Sequence, residues 1–231
     1  DGFIIENGVL LHYIGTAETV TIPAGVTSIG DYAFAHNYTL KQLIIGNDVV
    51  TIGDYAFYQC LSLQSVVIGD SVQTIESFAF DQCISLQSVV IGEGIQTIAR
   101  YAFYGCASLQ SVTYGSNLLS IGEYAFAHCP ALSMINSENP NTFCIGDSVT
   151  SIGVAAFMGC NSVESMVLPF VGADRGTEAG ATQVLGHIFG YTTSAAEGTT
   201  MQLTGYYYYI PQSLRQVVIT DETAVAQYSF M

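Results

Sequence analysis

The stretch IGDYAFYQCLSLQSVVI, residues 52–68, contains the pattern that decides the fold. Its Ala-Phe pair recurs along the chain, with the phenylalanines at a strict 23-residue interval and one more after a further 31 residues: Phe34, Phe57, Phe80, Phe103, Phe126 and Phe157. Leu63, Val66 and Ile68 also recur 23 residues later, as leucine, valine and isoleucine. The spacing L-x-x-V-x-I is typical of a short strand whose larger apolar side chains turn inward, followed by a glycine corner. Each repeat therefore forms one coil.

A single coil of this length cannot bury both its strand and its Ala-Phe corner, so stability must come from stacking on neighbouring coils. A period of 23 residues lies within the range of leucine-rich repeats. We therefore predict a mainly β fold with short helical or 3-10 turns. Its architecture is a right-handed leucine-rich-repeat solenoid of about seven to eight coils with a concave parallel sheet.

The pattern from Ile52 to Ile68 returns from Ile121 onward and resembles the BspA-like leucine-rich repeats. The resemblance extends from Ile14 through Phe230. It implies a secreted or cell-surface protein, with an extracellular or cell-surface location. It implies no particular ligand, because repeats of this family occur in proteins with different partners.

The chain is predicted to form one leucine-rich-repeat domain, residues 1–231. Residues 1–22 are the N-terminal cap and first strand, 23–168 the regular repeats, 169–213 an expanded repeat with an insertion, and 214–231 a last, truncated repeat. The opening residues resemble the lead-in of the family, in which a small hairpin covers the first coil. Loops are expected to bulge out after Leu132 and after Val163, where the next strand follows 31 and 51 residues later, and Phe189 is expected to take the place of the corner phenylalanine.

The composition argues against nucleic acid as a partner and against insertion into a membrane. Four basic residues face 19 acidic ones, giving a formal net charge of −15, and such a surface repels phosphate backbones. Nucleic acid is therefore not an expected partner. No apolar run reaches the length of a membrane span, so no direct membrane insertion of this segment is expected.

The sequence contains none of the common catalytic motifs, neither G-x-S-x-G, H-E-x-x-H nor C-x-x-C, and its four histidines are scattered. We therefore predict that the chain is not an enzyme and has no catalytic, cofactor-binding or metal-binding residues and no cofactor. His128 lies beside Cys129, but a buried cysteine and its neighbour point in different directions, which argues against a catalytic dyad. An acidic row at Asp48, Asp70, Glu93 and Asp147 offers one carboxylate per coil, which favours solvated turns over a calcium site.

Five cysteines occupy one repeat position: Cys60, Cys83, Cys106, Cys129 and Cys160. Buried free thiols at a solenoid corner are the favoured interpretation. Disulfides between coils remain an alternative. Metal binding is a weaker one, because a linear column of residues does not converge on one point.

The outward positions of the strands form the candidate binding surface. The residue between the last two inward side chains of each strand is mostly β-branched and apolar, and we expect these residues to bind a partner: Ile44, Val67, Val90, Thr113, Asn136, Val167 and Val218. Exposed apolar patches often mark interaction sites. The alternative is that these side chains serve strand propensity or are covered by another domain or by self-association. Tyr207 and Tyr208, in a run of four tyrosines, are a second candidate.

We therefore predict a non-catalytic protein-interaction or adhesion module that binds through its concave face. The partner is a protein or a glycan, with host matrix or another cell surface among the candidates. The alternatives are a structural spacer, or an accessory repeat region of a larger secreted protein or enzyme.

Overall fold

The computed structural model describes residues 2–170, 185–192, 200–201 and 207–220, with the backbone alone at Thr192, Thr200, Met201, Tyr207 and Tyr208. In chain order, its strands are β1 Phe3–Glu6, β2 Val9–Tyr13, β3 Thr19–Thr21, β4 Ser28–Ile29, β5 Gln42–Ile45, β6 Thr51–Ile52, β7 Ser65–Ile68, β8 Thr74–Ile75, β9 Ser88–Ile91 and β10 Thr97–Ile98. They continue with β11 Ser111–Thr113, β12 Ser120–Ile121, β13 Met134–Ile135, β14 Thr142–Cys144, β15 Ser151–Ile152, β16 Ser165–Leu168, β17 Tyr191–Thr192, β18 Thr200–Met201, β19 Tyr207–Tyr208 and β20 Gln216–Ile219.

The strands form two large sheets that run the length of a solenoid of about seven turns. The first has nine strands in the order β20-β16-β14-β13-β11-β9-β7-β5-β3, all parallel. The second has eight strands in the order β1-β2-β4-β6-β8-β10-β12-β15, and only its β1–β2 pair is antiparallel. The prediction of a mainly β solenoid with a parallel sheet is confirmed, and each regular coil also contributes a two-residue strand to the second sheet.

One short 3-10 helix, Leu185–Phe189, is the helical element of the described residues. Over those same residues, no helix combines the length and the apolar character that crossing a membrane requires. A small antiparallel sheet in the order β17-β19-β18 follows this helix.

The strands are short because the repeat alternates inward and outward side chains over only four residues. In β7 and β9 the burial pattern is half-buried, buried, exposed, buried, which places valine and isoleucine inside. Gly69 and Gly92 follow these strands at a corner where one coil lies directly against the next. A Cβ on Gly92 would stand 2.6 Å from the Cα atom of Asp70, closer than real Cβ contacts occur. At this corner glycine is therefore required where the backbone of the preceding coil comes this close.

The core is a file of stacked phenylalanine rings, which we call the inner phenylalanine file: Phe34, Phe57, Phe80, Phe103, Phe126 and Phe157. Successive ring centroids are 4.8, 4.9, 5.1, 5.3 and 5.7 Å apart, and every ring is at most 1% exposed. This spacing is close to the distance between hydrogen-bonded strands, so strand pairing and ring packing use the same coil pitch. The 23-residue period is thus a stacking period.

The N-terminal cap is the β1–β2 hairpin, in agreement with the prediction of a hairpin over the first coil. Tyr13 is the residue that joins it to the core. Its ring lies 4.8 Å from Phe34, at the head of the inner phenylalanine file, and Phe3 covers it at 4.9 Å. The cap therefore extends the aromatic stack by two rings.

The 31-residue interval contains more than the loop that the sequence predicted. Residues 142–144 form β14, which enters the nine-stranded sheet between β13 and β16. The inserted residues thus add a strand, because Phe143 supplies a fully buried side chain in register with Ile135. The expectation that this interval simply bulges out was wrong.

The 51-residue interval leaves the sheet continuous, since β16 pairs directly with β20. Phe189 is fully buried and follows Ile188, whose carbonyl accepts a hydrogen bond from the Phe157 amide at 2.8 Å. The carbonyl of Ala156 receives the Phe126 amide in the same way. Phe189 therefore takes the corner position, as predicted.

Candidate functional site

The outer face of the nine-stranded sheet has one row of side chains in strict register, which we call the sheet-face row. It consists of Thr21, Ile44, Val67, Val90, Thr113, Cys144, Val167 and Val218. Parallel pairing aligns the row from Thr21 to Thr113 and again from Cys144 to Val218, and β13, which lies between these two parts, contributes no member to it. Six of the seven predicted strand positions are therefore in this row, and Thr21 and Cys144 are additional members.

The N-terminal half of the row is an exposed apolar stripe. Ile44 is 43% exposed, Val67 46% and Val90 47%, and the three lie on adjacent strands. Their neighbours along each strand point into the core, so the stripe stands on a rigid sheet. Thr113 and Val218 are also exposed, whereas Val167 is half-buried.

Asn136 is not a strand residue, which corrects the expectation of a strand position there, and its part in partner binding stays a prediction. The strand β13 ends at Ile135, and Asn136 adopts a φ of +44°. Its Oδ1 accepts a hydrogen bond from the Tyr114 amide at 2.7 Å, and its Nδ2 donates to the Tyr114 carbonyl at 3.1 Å. The side chain thus replaces the missing strand pairing at this point, and its polar atoms are used within the chain.

Two polar margins flank the sheet-face row. On one side lies a row that is small or polar except for Met134: Gln42, Ser65, Ser88, Ser111, Met134, Thr142, Ser165 and Gln216. The exposed glutamines Gln64, Gln87 and Gln110 lie beyond it. On the same side, Lys41 and Glu18 form an ion pair at 2.6 Å. On the other side is the corner with Asn47, Asp70 and Glu93. The face therefore has an apolar centre and polar edges, an arrangement common in protein-binding surfaces.

The side chains at this corner accept hydrogen bonds from backbone amides. Asn47 Oδ1 accepts the amide of Asp70 at 2.9 Å, Asp70 Oδ1 that of Glu93 at 3.2 Å, and Glu93 Oε2 that of Ser116 at 2.8 Å. Each side chain thus caps a corner amide of the following coil. Over the described residues, no three histidine, cysteine or acidic side chains come together as metal ligands.

The cysteine column is a ladder of thiol hydrogen bonds. Each Sγ lies 3.2 Å from the carbonyl oxygen of a phenylalanine in the preceding coil, as Cys106 does from Phe80, and each of the five thiols is free and fully buried. Asn37 heads the column and donates to the Gly15 carbonyl at 3.3 Å. Burial raises the pKa of Cys83, Cys106 and Cys160 well above the usual range. These thiols stay protonated and act as donors within the core, in agreement with the favoured interpretation.

His128 and Cys129 point apart, as predicted: His128 is exposed and Cys129 is buried. The backbone of Tyr207 and Tyr208 lies in the small antiparallel sheet, and their side chains are outside the described residues. Where the expanded repeat meets the regular coils, a groove of about 700 Å³ lies between residues 209–213 and His128, Met158, Gly159 and Asn161.

The sequence analysis missed a second aromatic file on the outside of the corner, which we call the outer aromatic file: Tyr32, Tyr55, Phe78, Tyr101 and Tyr124. Neighbouring rings stack at 4.6 to 4.9 Å, nearly parallel, and all five residues have φ between +54° and +60°. Left-handed backbone is costly for such side chains, and continuous ring stacking offsets that cost. The tyrosine of the I-G-x-Y-A-F motif, which recurs every 23 residues, could have predicted this outer aromatic file from the sequence.

The model of the BspA type leucine rich repeat region matches the chain in six copies, over residues 10–133 and 133–173. The chain belongs to the BspA-type leucine-rich repeat family. The match covers most of the two large sheets, including the stripe at Ile44, Val67 and Val90. No curated protein sequence matches the chain.

Three solved structures resemble this BspA-type chain. A leucine rich cell surface protein from Faecalibacterium prausnitzii A2-165 is 28% identical over 71% of the chain, with a TM-score of 0.56. The T. pallidum leucine rich repeat protein is 24% identical over 68% of the chain, with a TM-score of 0.63, and a leucine-rich repeat protein from Eubacterium ventriosum is 23% identical over 87%, with a TM-score of 0.64. The last two show the fold alone. The chain spans 72% of the T. pallidum protein, 52% of the F. prausnitzii protein and 51% of the E. ventriosum protein.

Proposed function

We propose that this BspA-type chain is a non-catalytic recognition module of a cell-surface or secreted protein, and that it binds a partner protein through the sheet-face row. The observation that carries the proposal is the apolar stripe at Ile44, Val67 and Val90, which is more than 40% exposed on three adjacent strands. Strand propensity accounts for β-branched residues at these positions, but it does not require them to form one uninterrupted exposed stripe.

The surroundings of the stripe support a protein partner. A rigid, parallel sheet presents the stripe without rearrangement, and the flanking glutamine amides offer hydrogen bonds at its edge. The family consists of repeat modules that typically bind proteins, and its relative from F. prausnitzii is a cell surface protein. A surface location for the present chain is part of the same proposal, as is adhesion to a host matrix or to another cell.

The test replaces Val67 and Val90 together by lysine and compares binding to candidate partners, which are immobilised matrix proteins and the surfaces of neighbouring cells. Two lysines on this face disrupt an apolar contact and leave the core untouched. We expect binding to fall at least about tenfold, the equivalent of roughly 1.4 kcal/mol, with an unchanged circular dichroism spectrum and cooperative melting.

A matched control places the same two charges in the same coils at Gln73 and Gln96, which are exposed but lie outside the sheet-face row. This variant is expected to bind as the unaltered chain does. Equal binding by both double variants would contradict recognition through this face. If attachment instead depends only on the number of coils, the alternative of a structural spacer is favoured. The uninterrupted stack of aromatic rings is compatible with that alternative.

A further inference from the structure

A groove of about 700 Å³ separates the expanded repeat from the corners of the regular coils. One wall consists of His128, Met158, Gly159 and Asn161, and the other of residues 209–213. Hydrogen bonds hold both walls: the His128 amide donates to the Met158 carbonyl at 2.6 Å, and the Ser213 hydroxyl donates to the Val163 carbonyl at 2.7 Å. A cavity of this size is within the range of about 300–1,000 Å³ that small-molecule sites occupy.

Gly159 keeps the groove open beside His128. The two residues occupy the same repeat position in successive coils, directly before a cysteine of the column. In two earlier coils this position holds longer side chains that bond to each other, since the Gln59 side-chain amide donates to that of Gln82 at 2.8 Å. Gly159 has no side chain to cover the imidazole, and a Cβ added there would stand only 3.4 Å from His128 Nδ1. The exposed imidazole therefore borders the groove.

Four polar side chains that line the groove make no hydrogen bond within the described part of the chain. They are His128, Asn161, Tyr209 and Gln212. Three of them are exposed, and Tyr209 is half-buried. Amide, imidazole and phenol groups both donate and accept hydrogen bonds, so this lining can serve either kind of partner atom. Met158, Ile210 and Pro211 give the same groove an apolar part.

The described lining of the groove contains no aspartate, glutamate, lysine or arginine. A cationic or anionic ligand would thus lose water without gaining an opposite charge. The net charge of −15 also repels anions over a longer range. The groove therefore suits an uncharged ligand that carries many hydrogen-bonding groups on a compact apolar frame.

The backbone of the second wall does not favour a peptide as that ligand. The Tyr209 amide donates to the Gly190 carbonyl at 3.0 Å, and the Pro211 carbonyl accepts the Leu214 amide at 3.1 Å. Pro211 itself has no N–H. Extended peptides often bind through an open backbone edge, which these groups do not offer. A saccharide needs no such edge, because its hydroxyls bond to side chains and its C–H faces pack on aromatic rings.

We propose that this groove is a binding site for a short, uncharged oligosaccharide. Tyr209 supplies the ring for the C–H face of a sugar, and Asn161, Gln212 and the His128 imidazole supply partners for its hydroxyls. None of the residues that line the groove belongs to the sheet-face row. The site therefore does not depend on the function proposed above.

The test screens the full chain against an array of neutral oligosaccharides, with the sulfated and sialylated forms of the same glycans and an uncharged tetra-alanine peptide as comparators. Calorimetry then measures the affinity of each bound glycan. We expect a neutral glycan to bind with a Kd of about 1 mM or below, and its sulfated form to bind at least about tenfold more weakly. Absence of binding by every neutral glycan, equal binding of the sulfated form, or tighter binding of the peptide overturns the proposal.

His128→Ala and His36→Ala form a matched pair that locates the site. The two histidines share one repeat position, have φ of +57° and +59°, and each packs edge-on against a tyrosine at 5.2 Å. His128 lines the groove, whereas His36 lies in the first regular coil, away from it. We expect His128→Ala to weaken binding of the neutral glycan at least about fivefold and His36→Ala to change it less than about twofold. Equal effects of the two substitutions contradict the site.

Asn161→Ala gives an independent reading should His128→Ala alter the fold. Asn161 is exposed and its side chain has no partner among the described residues, so its removal leaves the core untouched. We expect a loss of glycan affinity of at least about fivefold with an unchanged circular dichroism spectrum. Undiminished binding by both groove variants would place the glycan elsewhere and overturn the proposal.

Discussion

Asp81 occupies a repeat position that holds tyrosine in both neighbouring coils. A carboxylate therefore stands at a position where the adjacent coils have an aromatic side chain. Its Oδ1 atom is buried and has no hydrogen-bond partner within the described residues. Burial raises its pKa from 3.8 to about 6. The folded protein consequently binds this proton more tightly than the unfolded chain does, and ionisation at neutral pH opposes folding. The cysteine column shows the opposite situation, because each of its buried thiols has an acceptor at 3.2 Å.

At this scale we predict that Asp81→Asn raises the stability of the free chain at pH 7 to 8 and has little effect near pH 4. The native pKa is raised, so the contribution of Asp81 to stability is fully present below about pH 4 and is lost as the pH rises through about 6. The expected gain at neutral pH is about 1–3 kcal/mol, because each unit by which a pKa is raised corresponds to about 1.4 kcal/mol and the asparagine side chain carries no charge. Urea unfolding of both proteins at a series of pH values measures it, and a difference that is constant from pH 4 to 8 would contradict it.

At the scale of the element, the corner after each strand is shaped by the coil that precedes it. Gly46 and Gly92 occupy the same repeat position, and the first coil has Pro23 there. A Cβ on Gly46 would meet nothing within 4 Å, whereas one on Gly92 would stand 2.6 Å from the Cα and 2.7 Å from the amide nitrogen of Asp70. The requirement for glycine thus comes from close stacking of corners, and the first coils escape it.

We therefore predict that Gly92→Ala destabilises the chain by about 1–3 kcal/mol, the usual cost of forcing extra atoms into a packed region. Gly46→Ala is the matched control and is expected to change the free energy of unfolding by less than about 0.5 kcal/mol, or to stabilise slightly by restricting the unfolded chain. Urea unfolding followed by circular dichroism separates the two variants. Equal destabilisation would show that backbone conformation, and not the neighbouring coil, requires glycine here.

At the scale of the whole molecule, the solenoid is a one-dimensional stack in which each coil contacts only the coils beside it. Both large sheets and the inner phenylalanine file have the same period, so a complete coil is the natural unit of stability. The cap hairpin closes one end of this stack through Tyr13.

We predict that deletion of residues 70–92, one complete coil, leaves a folded and cooperative protein of reduced stability. The deletion joins Gly69 to Glu93 and brings Phe57 and Phe103 into contact, which restores the period. Deletion of residues 70–81 is the control: it removes half a coil and shifts every later strand out of register, so we expect it not to fold. Circular dichroism and thermal melting check both, and similar behaviour of the two deletions would argue against a coil-by-coil stack.

The sequence by itself determined the period, the strand in each coil, and the inward and outward alternation that exposes Ile44, Val67 and Val90. Equal spacing of equal residues places each one in the same environment, so the repeat could be interpreted without coordinates. The inner phenylalanine file and the buried thiols followed from the same regularity.

Only the tertiary structure decided what happens where the regularity fails. The strand β14, the hydrogen bonds of Asn136 to Tyr114, and the position of Asp81 between two tyrosines all depend on which coil lies beside which. The second sheet was also missed, because strands of two residues are too short to leave a periodic signal. The local sequence pattern determines the shape of one coil. The conformation and contacts of an inserted segment or an exceptional residue depend on neighbours that are distant in the chain.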